Sequence, residues 1–249
     1  MRIYQILIGL VLPGIVIPGV WADEFHEVSR LSSPLAVQAA ATHDGFVYAI
    51  NSGEIAKYDR VTGELKGTSK GDAVHLNSGF VWKGKLLCAH SNYPSMPERS
   101  EVKVLDPDTM ELSTWHDFGD YGGSLTWIVR RGNHWLCNFA LYGEVNHETF
   151  LVEFDNSFKE VRRWYYPAAV IEKLGKYSLS GGVWWQGRLL VTGHDEQECY
   201  EVRIPRNGSV LEYQRTIAVP FTGQGFAVDK DGKGLVGISR AQRQVIFVK

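Results

Sequence analysis

WWQGRLLV, residues 184–191, decides the fold, because the chain repeats this pattern along its length. An apolar strand runs into a tight turn at Gly187, and a second apolar strand leaves it. WKGKLL (82–87), VRRGNHWL (129–136) and VDKDGKGLVG (228–237) are further copies, and ATHDGFVYA (41–49) is a fainter one. The turn glycines Gly45, Gly84, Gly132, Gly187 and Gly232 are separated by 39, 48, 55 and 45 residues. Strand-type residues recurring at that period point to a β-propeller, in which each repeat is one four-stranded blade. No single blade buries both its faces, so the repeats imply one domain over residues 23–249.

Each second strand leads to a third: IAKYD ending at Asp59, VKVLD at Asp106, FLVEFD at Asp155, CYEVRI at Ile204 and VIFVK at Lys249. Three of these enter related turns, DRVTGEL, DPDTMEL and DNSFKEV, whose Asp, Pro, Gly and Asn suit a reversal. STWHDF, RRWYYP and YQRTIAV supply fourth strands. The fifth repeat reaches only its third strand, and EFHEVSRL (24–31) has no blade of its own. Pairing it beside VIFVK covers an edge that would otherwise be exposed. The expectation is an all-β, five-bladed β-propeller of four-stranded antiparallel blades, the ring closed by the N-terminal strand pairing in the last blade. One helix is expected over 167–176, where Pro167 opens apolar residues at helical spacing and Gly175 ends them.

Residues 1–22 read as a signal peptide: Arg2, an apolar run to Val20, and small-residue cleavage at Val20-Trp21-Ala22 before Asp23. Pro13 and Pro18 weigh against a retained membrane anchor. The expected product is exported, periplasmic or secreted, with no stable membrane anchor after cleavage. The formal net charge is −2, and about −3 once Arg2 is removed. Nucleic-acid binding usually needs a basic surplus, so no nucleic-acid partner is expected. Cys88, Cys137 and Cys199 are odd in number, and Cys88 and Cys137 fall at nearly equivalent repeat positions, as small buried apolar residues do.

Loop lengths locate the chemistry. The turns joining first to second and third to fourth strands are short and lie on one face of a propeller. The remaining connections lie on the other face, are long, and carry His, Tyr, Asn and Arg, as in HSNYPSMPERS (90–100), FALYGEVNHET (139–149) and GHDEQE (193–198). Binding residues concentrate on such loops. His90 and His194 follow equivalent second strands and are expected to lean into one funnel, where histidine can shuttle a proton. Asp195 would orient an imidazole, and Arg99 would hold a carboxylate or phosphate. These four are the catalytic candidates; Asn92, Tyr93, Trp127, Tyr142, Tyr177 and Gln224 are the ligand-binding ones. The plain alternative is that these groups hydrogen-bond the loops to one another. The other tryptophans, Trp82, Trp184 and Trp185, read as packing between sheets.

No metal site is assigned: His75, His90, His147, His194 and Asp195 lack the close spacing of a zinc motif. Calcium held by backbone carbonyls in a central channel needs no motif and stays open. Glycosidase chemistry needs paired carboxylates, whereas the inner-strand entrances read Asn77-Ser78-Gly79, Gly123-Ser124, Ser180-Gly181 and Gln224-Gly225. No nucleophile-elbow motif supports a serine hydrolase.

The turns YDRVTGEL and LDPDTMEL resemble those of exported bacterial β-propellers of the YVTN and quinoprotein-like superfamily, a resemblance that covers nearly all of residues 23–249 and implies fold. HSNYPSMPERS, GSLTW and TGHD look like segments of an uncharacterised exported family within it. Size and blade count are similar to the plant-type glutaminyl cyclases, which act on N-terminal glutamine; their catalytic motifs have no residue-by-residue match here. The functional expectation is a propeller that takes a small polar molecule or a peptide end in its funnel, with lyase, cyclotransferase or hydrolase chemistry on His90 and His194. The rival is a noncatalytic interaction module using the loop-rich face and the 167–176 helix. No cofactor is assigned.

Overall fold

The marker glycines Gly45, Gly84, Gly132 and Gly187 close two-residue hairpins. Asp44 and Gly45 have φ of 47° and 76°, Lys83 and Gly84 of 49° and 76°, and Gln186 and Gly187 of 50° and 79°. Two consecutive left-handed residues match the twist of the strands they join, and glycine adopts that conformation without a Cβ clash. The flanking pairs His43↔Phe46, Trp82↔Lys85, Arg131↔His134 and Trp185↔Arg188 fix the register of each hairpin. The structure, a computed structural model, describes residues 25–231 and 233–249; the leader read over 1–22 and the marker Gly232 lie outside the described residues.

The strands occur in the expected sequence. β1 (Glu27–Ser32) precedes β2 (Ala39–His43), β3 (Phe46–Ile50), β4 (Ile55–Asp59) and β5 (Leu65–Thr68). β6 (His75–Leu76) and β7 (Phe80–Trp82) share one inner position and both pair with β8 (Lys85–Ser91), which leads to β9 (Ser100–Leu105) and β10 (Leu112–Gly119). β11 (Ser124–Arg131), β12 (His134–Ala140), β13 (Phe150–Phe154) and β14 (Glu160–Tyr165) form a four-stranded antiparallel sheet. β15 (Gly181–Trp185), β16 (Arg188–Thr192), β17 (Glu198–Arg203) and β18 (Glu212–Ala218) form another. β19 (Thr222–Asp229), β20 (Gly234–Ser239) and β21 (Gln244–Val248) end the chain.

β1 pairs antiparallel with β21, from Glu27↔Val248 to Ser32↔Gln244, so the N-terminal strand supplies the outer edge of the last sheet. That sheet meets β2 at the parallel pair Gly225↔Ala39, which makes the continuous order β1-β21-β20-β19-β2-β3-β4-β5. The fold is all-β.

The repeated Asp caps its turn. Asp59 Oδ1 accepts the N–H groups of Val61 and Thr62 at 2.9 and 2.8 Å, Asp106 Oδ1 that of Asp108 at 3.0 Å, and Asp155 Oδ1 those of Ser157 and Lys159 at 2.8 and 3.0 Å. A short carboxylate reaches its own backbone two residues on, which is why Asp recurs there. The Thr62 N–H, above all, holds the Asp59 carboxyl below its usual range.

Apolar faces pack between successive sheets. Trp127, Trp164, Leu189 and Tyr200 fill the space between the third and fourth, and Leu87, Ile128, Trp135 and Phe154 that between the second and third. Cys88, Cys137 and Cys199 are buried free thiols, and burial pushes Cys199 up to about 12. Polar ties cross the same junctions. Asn77 Nδ2 donates to Leu125 O at 3.0 Å, Thr126 Oγ1 to Leu179 O at 2.7 Å, and Thr192 Oγ1 to Gln224 O at 2.7 Å. Between first and last sheets, Arg60 binds the buried Asp229 carboxylate through two bonds of 2.5 and 2.6 Å, and Thr42 Oγ1 adds a third at 3.1 Å.

The expected 167–176 helix is far shorter. One α-turn, Ala168–Ile171, follows Pro167, and turns continue to Gly175 at φ 58°. Val170, Ile171 and Leu174 are buried against the neighbouring sheets, so its apolar side is already used internally.

Candidate functional site

Among the described residues, the inner strands line a cavity at their hairpin side and another at their loop side. At the hairpin side an apolar one of about 270 Å³ is lined by residues of β2, β7, β11, β15 and β19, among them Thr42, Val81, Val129, Val183 and Phe226. At the loop side a polar one of about 740 Å³ is walled by the connections entering the inner strands, with His75, Asn77, Tyr177, Ser180 and Gln224. The loops after the second strands add Tyr93, Tyr142, His194, Asp195 and Arg240.

His194 is held on three sides. It leaves β16 beyond Gly193, and its ring stacks on Tyr177 with centroids 3.9 Å apart and planes 8° apart. Nδ1 lies 2.7 Å from Asp195 Oδ1, and Nε2 lies 3.1 Å from Arg240 Nη1. A guanidinium only donates, so Nε2 accepts and Nδ1–H donates to the carboxylate. This fixes a neutral imidazole with its proton on Nδ1. Burial, opposed by Asp195 and reinforced by the charges of Arg240 and Lys176, holds its pKa below the usual imidazole value. Gln224 anchors the loop: its Nε2 donates to the His194 carbonyl at 3.0 Å, and Gln224 is itself buried.

An aromatic wall stands opposite. Tyr93 and Tyr142 have ring centroids 4.8 Å apart, and Tyr93 meets the edge of His75 at 5.5 Å. Burial, helped by Tyr93 and Glu98, pushes the Tyr142 phenol up, so it stays a neutral hydrogen-bonding group. Burial also lowers His75, against its contact with Asn77.

Of the ten residues expected at the site, six line this cavity: Tyr93, Tyr142, Tyr177, His194, Asp195 and Gln224. Four do not. His90 is inside β8, buried, with Nε2 accepting the Val74 N–H at 2.9 Å and Nδ1 turned 3.4 Å from Glu101; it braces the loop before β6 rather than facing the cavity. Burial drives its pKa down to about 4. Asn92 ties its own loop, donating to Pro97 O at 2.9 Å and accepting the Arg99 N–H at 2.7 Å. The Arg99 side chain is turned outward to Asp117. Trp127 is wholly buried, covered by Gly182 of the next inner strand. The strand position shared by His90 and His194 does not decide orientation: His90 falls within β8, while His194 lies two residues beyond the end of β16.

Sequence reading missed Arg240 and Lys176, both on the cavity wall. Arg240 was detectable. It directly follows β20, the second strand of the last repeat, much as His194 follows β16. Among the described residues, no group of three or more His, Cys, Asp or Glu side chains is placed to hold a metal ion.

Sheets packed around shared inner strands, with a polar cavity at the loop end, define a β-propeller. Among solved structures, the glutaminyl cyclase of Myxococcus xanthus is similar at TM-score 0.61 and 9% identity, over 90% of this chain and 95% of that one. The Cps50 (Swd1) β-propeller domain of Myceliophteria thermophila gives 0.49 and 8%, over 90% and 99% of the two chains, and the WD40 β-propeller domain of Doa1 gives 0.46 and 12%, over 84% and 62%. At these identities the likeness is one of fold. No family model matches the chain, and no curated protein matches it.

Proposed function

We propose that the protein is an exported five-bladed β-propeller, its ring closed by β1, that binds a small polar molecule or a peptide end in the loop-side cavity and acts on it with His194 as general base. The observation that carries this reading is the oriented, neutral imidazole of His194 in a cavity walled by tyrosines. A base works best when it is unprotonated at the working pH and its lone pair is aimed by a partner on the other ring nitrogen. Asp195 supplies that partner, and burial supplies the unprotonated state. Tyr93, Tyr142 and Tyr177 give the ligand flat apolar surface with hydroxyls at the edges. His90 and Arg99 take no direct part in this reading.

The name of the glutaminyl cyclase neighbour makes an N-terminal glutaminyl peptide the first substrate to offer, alongside peptides with other N-termini. Mass spectrometry of the products reads cyclisation as loss of ammonia and hydrolysis as gain of water. His194→Ala is expected to fold with an unchanged melting temperature and lose turnover by about a hundredfold or more, as removal of a general base does. Equal turnover by the variant would overturn the role of His194. Capture of a protein partner that survives His194→Ala would favour the interaction-module reading instead.

A further inference from the structure

Several arginines of this protein are satisfied by carboxylates: Arg60 by Asp229, Arg163 by Glu160 and Arg30 by Glu27. Arg240 is not. Among the described residues it makes no ion pair, and its Nη1 donates to the neutral Nε2 of His194 at 3.1 Å. Lys176 lies on the same wall with its ammonium 5.3 Å from the Tyr177 ring, also without a carboxylate among the described residues. Asp195, the one acid among the described lining residues, is already bonded to His194. The cavity therefore holds two cations against one engaged carboxylate, and a guanidinium whose present acceptor is a weak substitute for an anion.

We propose that the cavity selects a ligand carrying an anionic oxygen group, a carboxylate or a phosphate, which seats on Arg240 beside Lys176 and draws the Arg240 N–H away from His194 Nε2. This rests on the reading of His194 given above and deepens it. With no ligand bound, Arg240 blocks the lone pair that a base must use. When the anion is bound, the guanidinium has a better acceptor, its charge is offset, and Nε2 is released toward the ligand. The groups facing His194 are Asp195 at Nδ1, Arg240 at Nε2, Tyr177 on the ring face and Lys176 alongside, while His75 faces Arg240 within the same cavity. Binding and protonation are then reciprocally coupled: an anion at Arg240 raises the pKa of His194, and a protonated His194 tightens anion binding.

The test is an NMR titration of the His194 imidazole against pH in the full protein, alone, with sodium acetate, and with inorganic phosphate. The wild type is expected to show a higher His194 pKa in the presence of an anion. Arg240→Gln is expected to show a raised pKa without anion and to weaken anion binding by roughly tenfold or more, the scale of one lost charge-assisted bond. Arg240→Lys, which keeps the charge and loses the fork, should fall between the two. A response to acetate alone assigns a carboxylate, to phosphate alone a phosphate, and to both an anion recognised by charge. No response to either probe, or a wild-type response from Arg240→Gln, overturns the proposal. Neither of those results touches the His194→Ala test, so the base reading stands or falls separately.

Discussion

Asp195 and His90 show how single contacts set proton affinity in this protein. Asp195 raises the pKa of His194 by charge and hydrogen bond, against the larger lowering by burial. Asp195→Asn removes the raising contribution, so the acid limb of the pH–rate profile should move to lower pH while the maximal rate falls through lost orientation. A profile that moves to higher pH would contradict this arrangement. His90 acts on stability. Its folded pKa of about 4 lies below the ordinary imidazole value of 6.5, so between those values the unfolded chain takes up a proton that the folded one resists. Stability should therefore decline as pH falls from about 6.5 to about 4, by roughly 3 kcal/mol from this residue, and level off below. Urea melts of wild type and His90→Gln across that range check it: the variant should show the shallower dependence.

At the scale of strands and turns, much of the structure follows from local chemistry. The hairpins at Gly45, Gly84 and Gly187 follow from glycine's tolerance of positive φ, and the Asp that ends a third strand is explained by its own backbone bonds. The helix expected over 167–176 fails for a local reason too. Its apolar residues satisfy helical spacing, but Gly175 at φ 58° and the pull of Val170, Ile171 and Leu174 into the neighbouring sheets leave one turn, Ala168–Ile171. Inner strands carry glycine for packing. A Cβ on Gly182 would stand 2.5 Å from the Trp127 ring. Gly182→Ala should lower stability by about 1–3 kcal/mol, the usual range for overpacking a filled core, with the loss read from denaturant melts. An unchanged midpoint would mean that Trp127 moves freely, contrary to its complete burial.

For the molecule as a whole, removal of the leader expected over residues 1–22 would leave β1 near the new N-terminus. If export removes residues 1–22, the chain then begins at Asp23, four residues before the strand Glu27–Ser32 that covers β21. N-terminal sequencing of protein recovered after export should read Asp-Glu-Phe-His; retention of Met1 would argue for an anchored form. The sequence by itself determined the repeat, the turn positions and which terminal strand pairs with which, because alternation, glycine and Asp act over a few residues. It also brought Tyr93, Tyr142, Tyr177, His194, Asp195 and Gln224 to one set of loops. Only the tertiary structure decided that His194 faces the cavity while His90 braces a loop, and that Arg240 rather than Arg99 is the cavity's arginine. Strand ends and neighbouring charges, not residue type, set those directions: a side chain inside β8 is enclosed by its sheet, whereas one just beyond β16 or β20 reaches the cavity where the loops meet.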